Sequence, residues 1–144
     1  MNFYGVQTAR AGAVPAAARQ EPGRSWGWYH RLTVKGRRCH GFTLWRGKRR
    51  QVELWICPRN FSVGAHTHEE MDGHIVLLLG QVHLCKVVDG KERATDRHFV
   101  PLSVPRGVVH YFVPKKRHWS PTVFLNFERW TTAPTSAAVD FKSA

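Results

Sequence analysis

The chain has 144 residues, enough to close one hydrophobic core and too few for two, so a single domain with tails is expected. Hydrophobic residues make up 42% of it, with 6 Trp, 8 Phe and 3 Tyr, and this apolar area offsets the entropy of ordering the chain, which excludes wholesale disorder. The 22 Lys and Arg against 10 Asp and Glu leave a formal charge of +12, which favours acidic partners such as an acidic protein surface or nucleic acid. The basic residues fall in short clusters near predicted turns (Lys35–Arg38, Arg46–Arg50, Lys115–Arg117) instead of along one stripe. Turns kept soluble by Lys and Arg are therefore preferred over a nucleic-acid site.

Three cysteines, Cys39, Cys57 and Cys85, form an odd set without C-x-x-C spacing, so neither a disulfide framework nor a thiolate metal site is expected, and a reducing compartment fits best. No run reaches the roughly 20 apolar residues that span a membrane, and the N-terminus lacks the apolar core of a secretory signal. A cytoplasmic protein, or one built into a particle assembled inside the cell, is expected. No membrane partner is.

In chain order, residues 1–24 mix Gly, Pro, Ala and Arg with neither strand nor helix periodicity and read as an irregular N-terminal arm. Residues 25–130 form a succession of short runs rich in Val, Leu, Phe, Trp and Thr, each closed by a turn signal. The run Trp26–Val34 ends at Lys35-Gly36; Cys39–Trp45 ends at Arg46-Gly47-Lys48; Val52–Cys57 ends at Pro58-Arg59-Asn60. The second and third of these make a hairpin. His74–Leu79 stops at Gly80, and Val82–Val88 stops at Asp89-Gly90, a strong hairpin signal because both turn residues must accept positive φ. Arg97–Val104 reaches Pro105-Arg106-Gly107, and Val108–Val113 and Thr122–Phe127 follow. Residues 131–144 read as an irregular C-terminal tail. About eight strands at this spacing predict an all-β chain closed as a barrel or jelly roll, which removes exposed edges.

The segment VGAHTHEEMDGHIVLLLG places His66 and His68 two residues apart, which in a strand puts both imidazoles on one face, about 7 Å apart at the backbone. Alone this means little, since 9 His in 144 residues supply roughly half a His-x-His by chance. The pair is followed by an apolar run ending at Gly80 and, some way on, by PRGVVH with Pro105, Gly107 and His110.

Together these stretches resemble the paired motifs of the cupin superfamily over roughly residues 50–128. In that family a first motif of His-x-His, Glu and Gly is joined by a second containing Pro-x-Gly-x-x-His. The resemblance implies a single cupin-type jelly-roll barrel, with His66, His68 and His110 as ligands of one divalent metal ion. Neutral imidazole suits Fe, Zn, Ni or Cu, and three nitrogens leave positions open for water, oxygen or substrate. The family's acidic ligand falls on Gly73, as in the cupin thiol dioxygenases, which also use three histidines and can lack the acid. Asp72 and His74 flank Gly73 on the opposite strand face, and Glu69 and Glu70 lie in the loop before it. The motif glycines are replaced by Asn60 and Phe99, and the closing Asn by Pro114.

The other histidines receive plainer readings: His30, His40, His98 and His118 as solvated rings, and His83 as a ring that could face the cavity and support a ligand from behind. Tyr111 and Glu128 are the available acid or base groups, and Trp55, Leu77, Leu79, Phe112 and Leu125 the expected cavity lining. The first functional expectation is a metal-dependent cupin, an oxygenase, isomerase or lyase, or a sensor, for a small and partly hydrophobic molecule. The alternative is a structural protein, similar to the decoration or cement proteins of virus particles, whose arms bind neighbouring subunits in a homo-oligomer or larger assembly. A nucleic-acid module built on Trp26, Trp28, Tyr29 and Arg46–Arg50 ranks last.

Overall fold

A computed structural model describes residues 21–115 and 119–144, so most of the expected N-terminal arm, together with His118, lies outside the described residues. No helix occurs among them, and the strands form two antiparallel sheets packed face to face. The larger sheet runs, in spatial order, β1 (Arg24–Ser25), β2 (Tyr29–Val34), β3 (Arg37–Arg46), β4 (Arg50–Cys57), β11 (Thr122–Trp130), β6 (Met71–Leu79) and β9 (Leu102–Val104). The smaller runs β12 (Lys142–Ser143), β5 (Val63–Thr67), β10 (His110–Pro114), β7 (Val82–Val88) and β8 (Lys91–Thr95). This is the all-β jelly roll expected from the sequence.

Turn chemistry sets the local order. Lys35 and Gly36 (φ 50° and 76°) join β2 to β3, and Asp89 and Gly90 (φ 52° and 74°) join β7 to β8; both pairs have the two positive φ angles that match strand twist. The Asp-Gly signal thus paired Val82–Val88 with a strand, β8, that composition had not suggested. Asn60 and Phe99, standing where the cupin motifs carry glycine, keep the positive φ that glycine would supply, at 57° and 62°. Asn tolerates this conformation, whereas in a Phe it is strained by ~1–2 kcal/mol.

The core lies between the sheets, where Leu32, Trp55 and Leu77 of the larger meet Val63, Leu84 and Phe112 of the smaller. Inward parity on β4 belongs to Gln51, Glu53, Trp55 and Cys57, and on β11 to Thr122, Asn126, Glu128 and Trp130. Leu125 therefore faces outward, and so does Leu79, because one step from Val123 to Phe124 on β11 spans two residues of β6 and reverses the alternation. Of the expected cavity residues, Trp55 and Phe112 do line the cavity, Leu77 is buried elsewhere in the core, and Leu79 and Leu125 do not contribute.

Two further expectations are corrected. Cys39 and Cys57 are joined by a disulfide across β3 and β4, since the antiparallel register that pairs His40 with Ile56 sets these two residues opposite each other. They are the two ends of the hairpin that the sequence itself predicts, and the bond constrains the unfolded chain by about 3 kcal/mol. His30 is not solvated: it is fully buried, its Nδ1 accepting from Ser25 Oγ (2.8 Å) and its Nε2–H facing Thr43 Oγ1 (2.7 Å) and Glu53 Oε2 (3.1 Å).

Residues 131–144, read from the sequence as an irregular tail, include the short strand β12 and are bound to the barrel. Ser136, Ala137, Ala138 and Phe141 are buried, and β12 pairs with β5. Arg46 Nη2 donates to Thr135 O (2.8 Å) and to Gly27 O (3.1 Å), so this arginine clamps the tail and is not a free phosphate ligand.

Cys85 is the remaining thiol, fully buried and with its pKa pushed up to about 12 by burial and by Glu92. Ellman's reagent should find no thiol in the native protein, one in the unfolded protein, and three after unfolding and reduction.

Candidate metal centre

β5 delivers His66 and, just past its end, His68; β10 begins at His110, which is the cross-strand partner of His66. The turn before β10 is anchored to the same place: Gly107 (φ 76°) donates its N–H to His68 O at 2.9 Å, and Val108 N–H donates to Pro105 O at 3.1 Å. All three rings are buried, with centroids 4.1 Å (His66–His110), 4.9 Å (His68–His110) and 5.0 Å (His66–His68) apart. Their ligand atoms lie within 4.8 Å of one another, close enough to share one ion.

The outer nitrogens decide the tautomer. His66 Nδ1 faces Gly64 O (2.7 Å), His110 Nδ1 faces Val108 O (3.0 Å), and His68 Nδ1 faces Asp140 O. A carbonyl oxygen only accepts, so each Nδ1 carries the proton and each Nε2 keeps a lone pair. Metal-ligating histidines are held in this way. Burial, with the neighbouring imidazoles, holds His66 well below the usual histidine range and pushes His110 down to about 3. Burial also lowers His68, against the opposing pull of Asp140 and Glu53. Three neutral imidazoles sharing a pocket, each with an outward N–H and an inward lone pair, fit a divalent ion that prefers nitrogen.

The acidic neighbours stay away. Asp72 faces outward and pairs with Arg106 and Arg129, and His74 is exposed. Glu69 pairs with Lys142, and Glu70 accepts from Thr131 Oγ1; both are exposed. His83 and Tyr111 are buried off the cavity, Tyr111 packing with Ala65 and Cys85, so neither reaches the centre.

What the sequence left unread is the polar inner face of the larger sheet and the lid over it. Glu53, fully buried, accepts from Ser136 Oγ (2.9 Å), Ala137 N (2.9 Å) and His30 Nε2. Glu128 accepts from Trp130 Nε1 (2.8 Å), Gln51 Nε2 (3.1 Å) and Asn126 Nδ2 (3.0 Å), and burial with the adjacent Glu53 holds it well above the usual carboxyl range. Asn126 Oδ1 is buried without a hydrogen-bond partner, an arrangement that costs ~1–3 kcal/mol when nothing satisfies it. Phe141 stacks on His66 (4.1 Å between centroids, 16° between planes) and lines the cavity beside it. The one available signal was parity: Gln51, Glu53 and Trp55 alternate with Val52, Leu54 and Ile56, and the apolar set turned out to face outward.

The cavity has a volume of about 60 Å³ and is lined by the three histidines and Asn126 among apolar side chains that include Trp55, Phe124 and Phe141. No family model matches the chain, and no curated protein matches it. Solved structures do. A conserved double-stranded β-helix protein from Klebsiella pneumoniae superposes with a TM-score of 0.56 at 12% identity, covering 78% of this chain and 90% of that one. The chain has the cupin fold. KdgF from Halomonas sp. shares it with a TM-score of 0.53 and 14% identity over 69% of this chain and 86% of its own. A variant of oxalate decarboxylase from Bacillus subtilis gives 0.58 and 14%, covering 88% of this chain but only 33% of the decarboxylase. At these identities the likeness establishes the cupin fold and leaves its chemistry to the residues.

The pKa directions predict how the metal-free cupin fold responds to acid. His30, His66, His68, His83 and His110 are all lowered, so below about 6.5 the unfolded chain takes up protons that the fold refuses, and stability is lost as pH falls. Glu128 and Glu92, both raised, work in the opposite sense, but they are two groups against five. The urea midpoint of chelator-treated protein should be lower at pH 5 than at pH 7.

Proposed function

We propose that the protein binds one divalent metal ion through Nε2 of His66, His68 and His110 and uses the ion's open positions to hold a small molecule, which it transforms or senses. The observation that carries this reading is that each of the three rings is fixed by an Nδ1–H bond to a backbone carbonyl, leaving the three Nε2 lone pairs to share one pocket. Bound there, iron, zinc, nickel or copper would supply a Lewis acid, and iron or copper also a redox centre.

The chain's own residues set the rest. About 60 Å³ holds roughly two waters' worth of volume, far below the ~300 Å³ of even a small ligand pocket. The space therefore suits water or a diatomic, and a larger substrate would need the lining of Ala137, Ala138 and Phe141 to shift. Phe141, Trp55 and Phe124 keep bulk water out and favour a partly hydrophobic guest. Metal analysis of protein expressed without added metal should find one equivalent bound, and a His66→Ala, His110→Ala double variant should hold none. A parent that stays empty even when offered iron, zinc, nickel and copper sinks this reading.

A second reading, assembly, rests on the outer face of the larger sheet. Trp45, Ile56 and Phe127 are exposed there at 55%, 38% and 43%, beside the partly buried Leu54 and Leu125, an apolar surface of the kind that pairs subunits. We propose a homo-oligomer through this face. Light scattering after gel filtration should show more than one chain per particle, and a Trp45→Glu, Phe127→Glu variant should run as a monomer; a parent that is monomeric at high concentration refutes it.

A further inference from the structure

The position where the cupin motif carries an acid is Gly73, and the structure shows what stands beside that gap. Gly73 lies on β6 opposite Glu128 of β11, and Asn126, two residues earlier on β11, points inward to the same place. A Cβ on residue 73 would stand 2.9 Å from Asn126 Oδ1 and 3.2 Å from Met71 Cε. No side chain fits at 73 unless Asn126 moves. The missing carboxylate and the present amide are thus two halves of one exchange.

The amide's orientation is set by its neighbour. Asn126 Nδ2 donates to Glu128 Oε1 (3.0 Å), and Glu128 is held in turn by Trp130 and Gln51, so the nitrogen faces the carboxyl group and Oδ1 faces away from it. That oxygen belongs to a side chain only 4% exposed and has no hydrogen-bond partner, and Asn126 is one of the residues that line the cavity with His66, His68 and His110. A buried acceptor in this state, on a residue that shares a pocket with three nitrogen lone pairs, has a cation as its natural partner.

From this geometry we infer that Asn126 Oδ1 is the fourth protein donor to the ion held by His66, His68 and His110, a neutral oxygen in place of the carboxylate that Gly73 cannot supply. The inference rests on the metal reading above and extends it to the composition of the centre. A ligand set of three imidazoles and one amide carries no charge, so the ion keeps its full double charge and draws hydroxide or a small anion to its open side. Glu128 is then a positioning residue, aiming the amide without touching the ion.

Cobalt(II) tests the assignment, because its visible absorption reports donor number and type. Titrating cobalt into the metal-free parent should give d–d bands and a measurable affinity. Asn126→Leu, similar in size and without a donor, should weaken cobalt about tenfold or more and shift the bands. Asn126→Asp, with a charged oxygen at the same place, should tighten binding. Unchanged affinity and bands in Asn126→Leu overturn the proposal, and if that variant fails to fold, unchanged affinity and bands in Asn126→Asp overturn it equally. A parent that takes up no cobalt refutes the metal reading, and the donor role with it; failure of the donor role alone shows only in the variants.

Discussion

The buried carboxyl group of Glu53 is the contact on which the rest of the site depends. It sits on the inner face of β4 and receives Ser136 Oγ, Ala137 N–H and His30 Nε2. Two of these three donors belong to the C-terminal segment, so Glu53 holds that segment against the barrel. The segment then places Asp140 O on His68 Nδ1 and the Phe141 ring on His66. Stripping the partners from a buried acid costs ~3–5 kcal/mol, comparable to much of a small domain's net stability. Tail, lid and histidine orientation therefore stand or fall together, although Glu53 touches no proposed ligand position itself.

The electrostatics of the interior follow from two kinds of group meeting in a small dry volume. The imidazoles are neutral because burial penalises their charged form and because each would repel the others. Glu128 is shifted the opposite way for the same two reasons, burial and a like neighbour in Glu53. The outcome is an interior in which a cation, if bound at the histidines, would not first have to displace their protons. Apolar walls and about 60 Å³ of space surround the three imidazoles.

Much of the fold could be read from local signals, and the particular residues show why. Asp89-Gly90 forced a hairpin because its φ angles admit few other turns, and Pro105-Arg106-Gly107 returned the chain with His110 pointing inward because glycine permits φ 76°. His66 and His68 share a face because strand side chains alternate. The same alternation misled at Leu79 and Leu125: a bulge on β6 and the inward turn of the polar residues Gln51, Glu53, Asn126 and Glu128 on β4 and β11 are properties of the pairing and not of either strand. The cysteines make a similar case, since neither count nor spacing shows that Cys39 and Cys57 are cross-strand neighbours, while the register of β3 on β4 does.

By itself the sequence determined the class of fold, the turns that build it and the three histidines that meet, because each depends on backbone preferences within a few residues or on a motif those preferences create. Tertiary structure alone decided what surrounds them. The disulfide, the burial of His30, the carboxyl pair of Glu53 and Glu128, the amide of Asn126 filling the space at Gly73 and the stacking of Phe141 on His66 all join residues far apart in the chain. Such contacts form only when two sheets pack and exclude water, and desolvation, which sets their strength, has no local signature in the sequence.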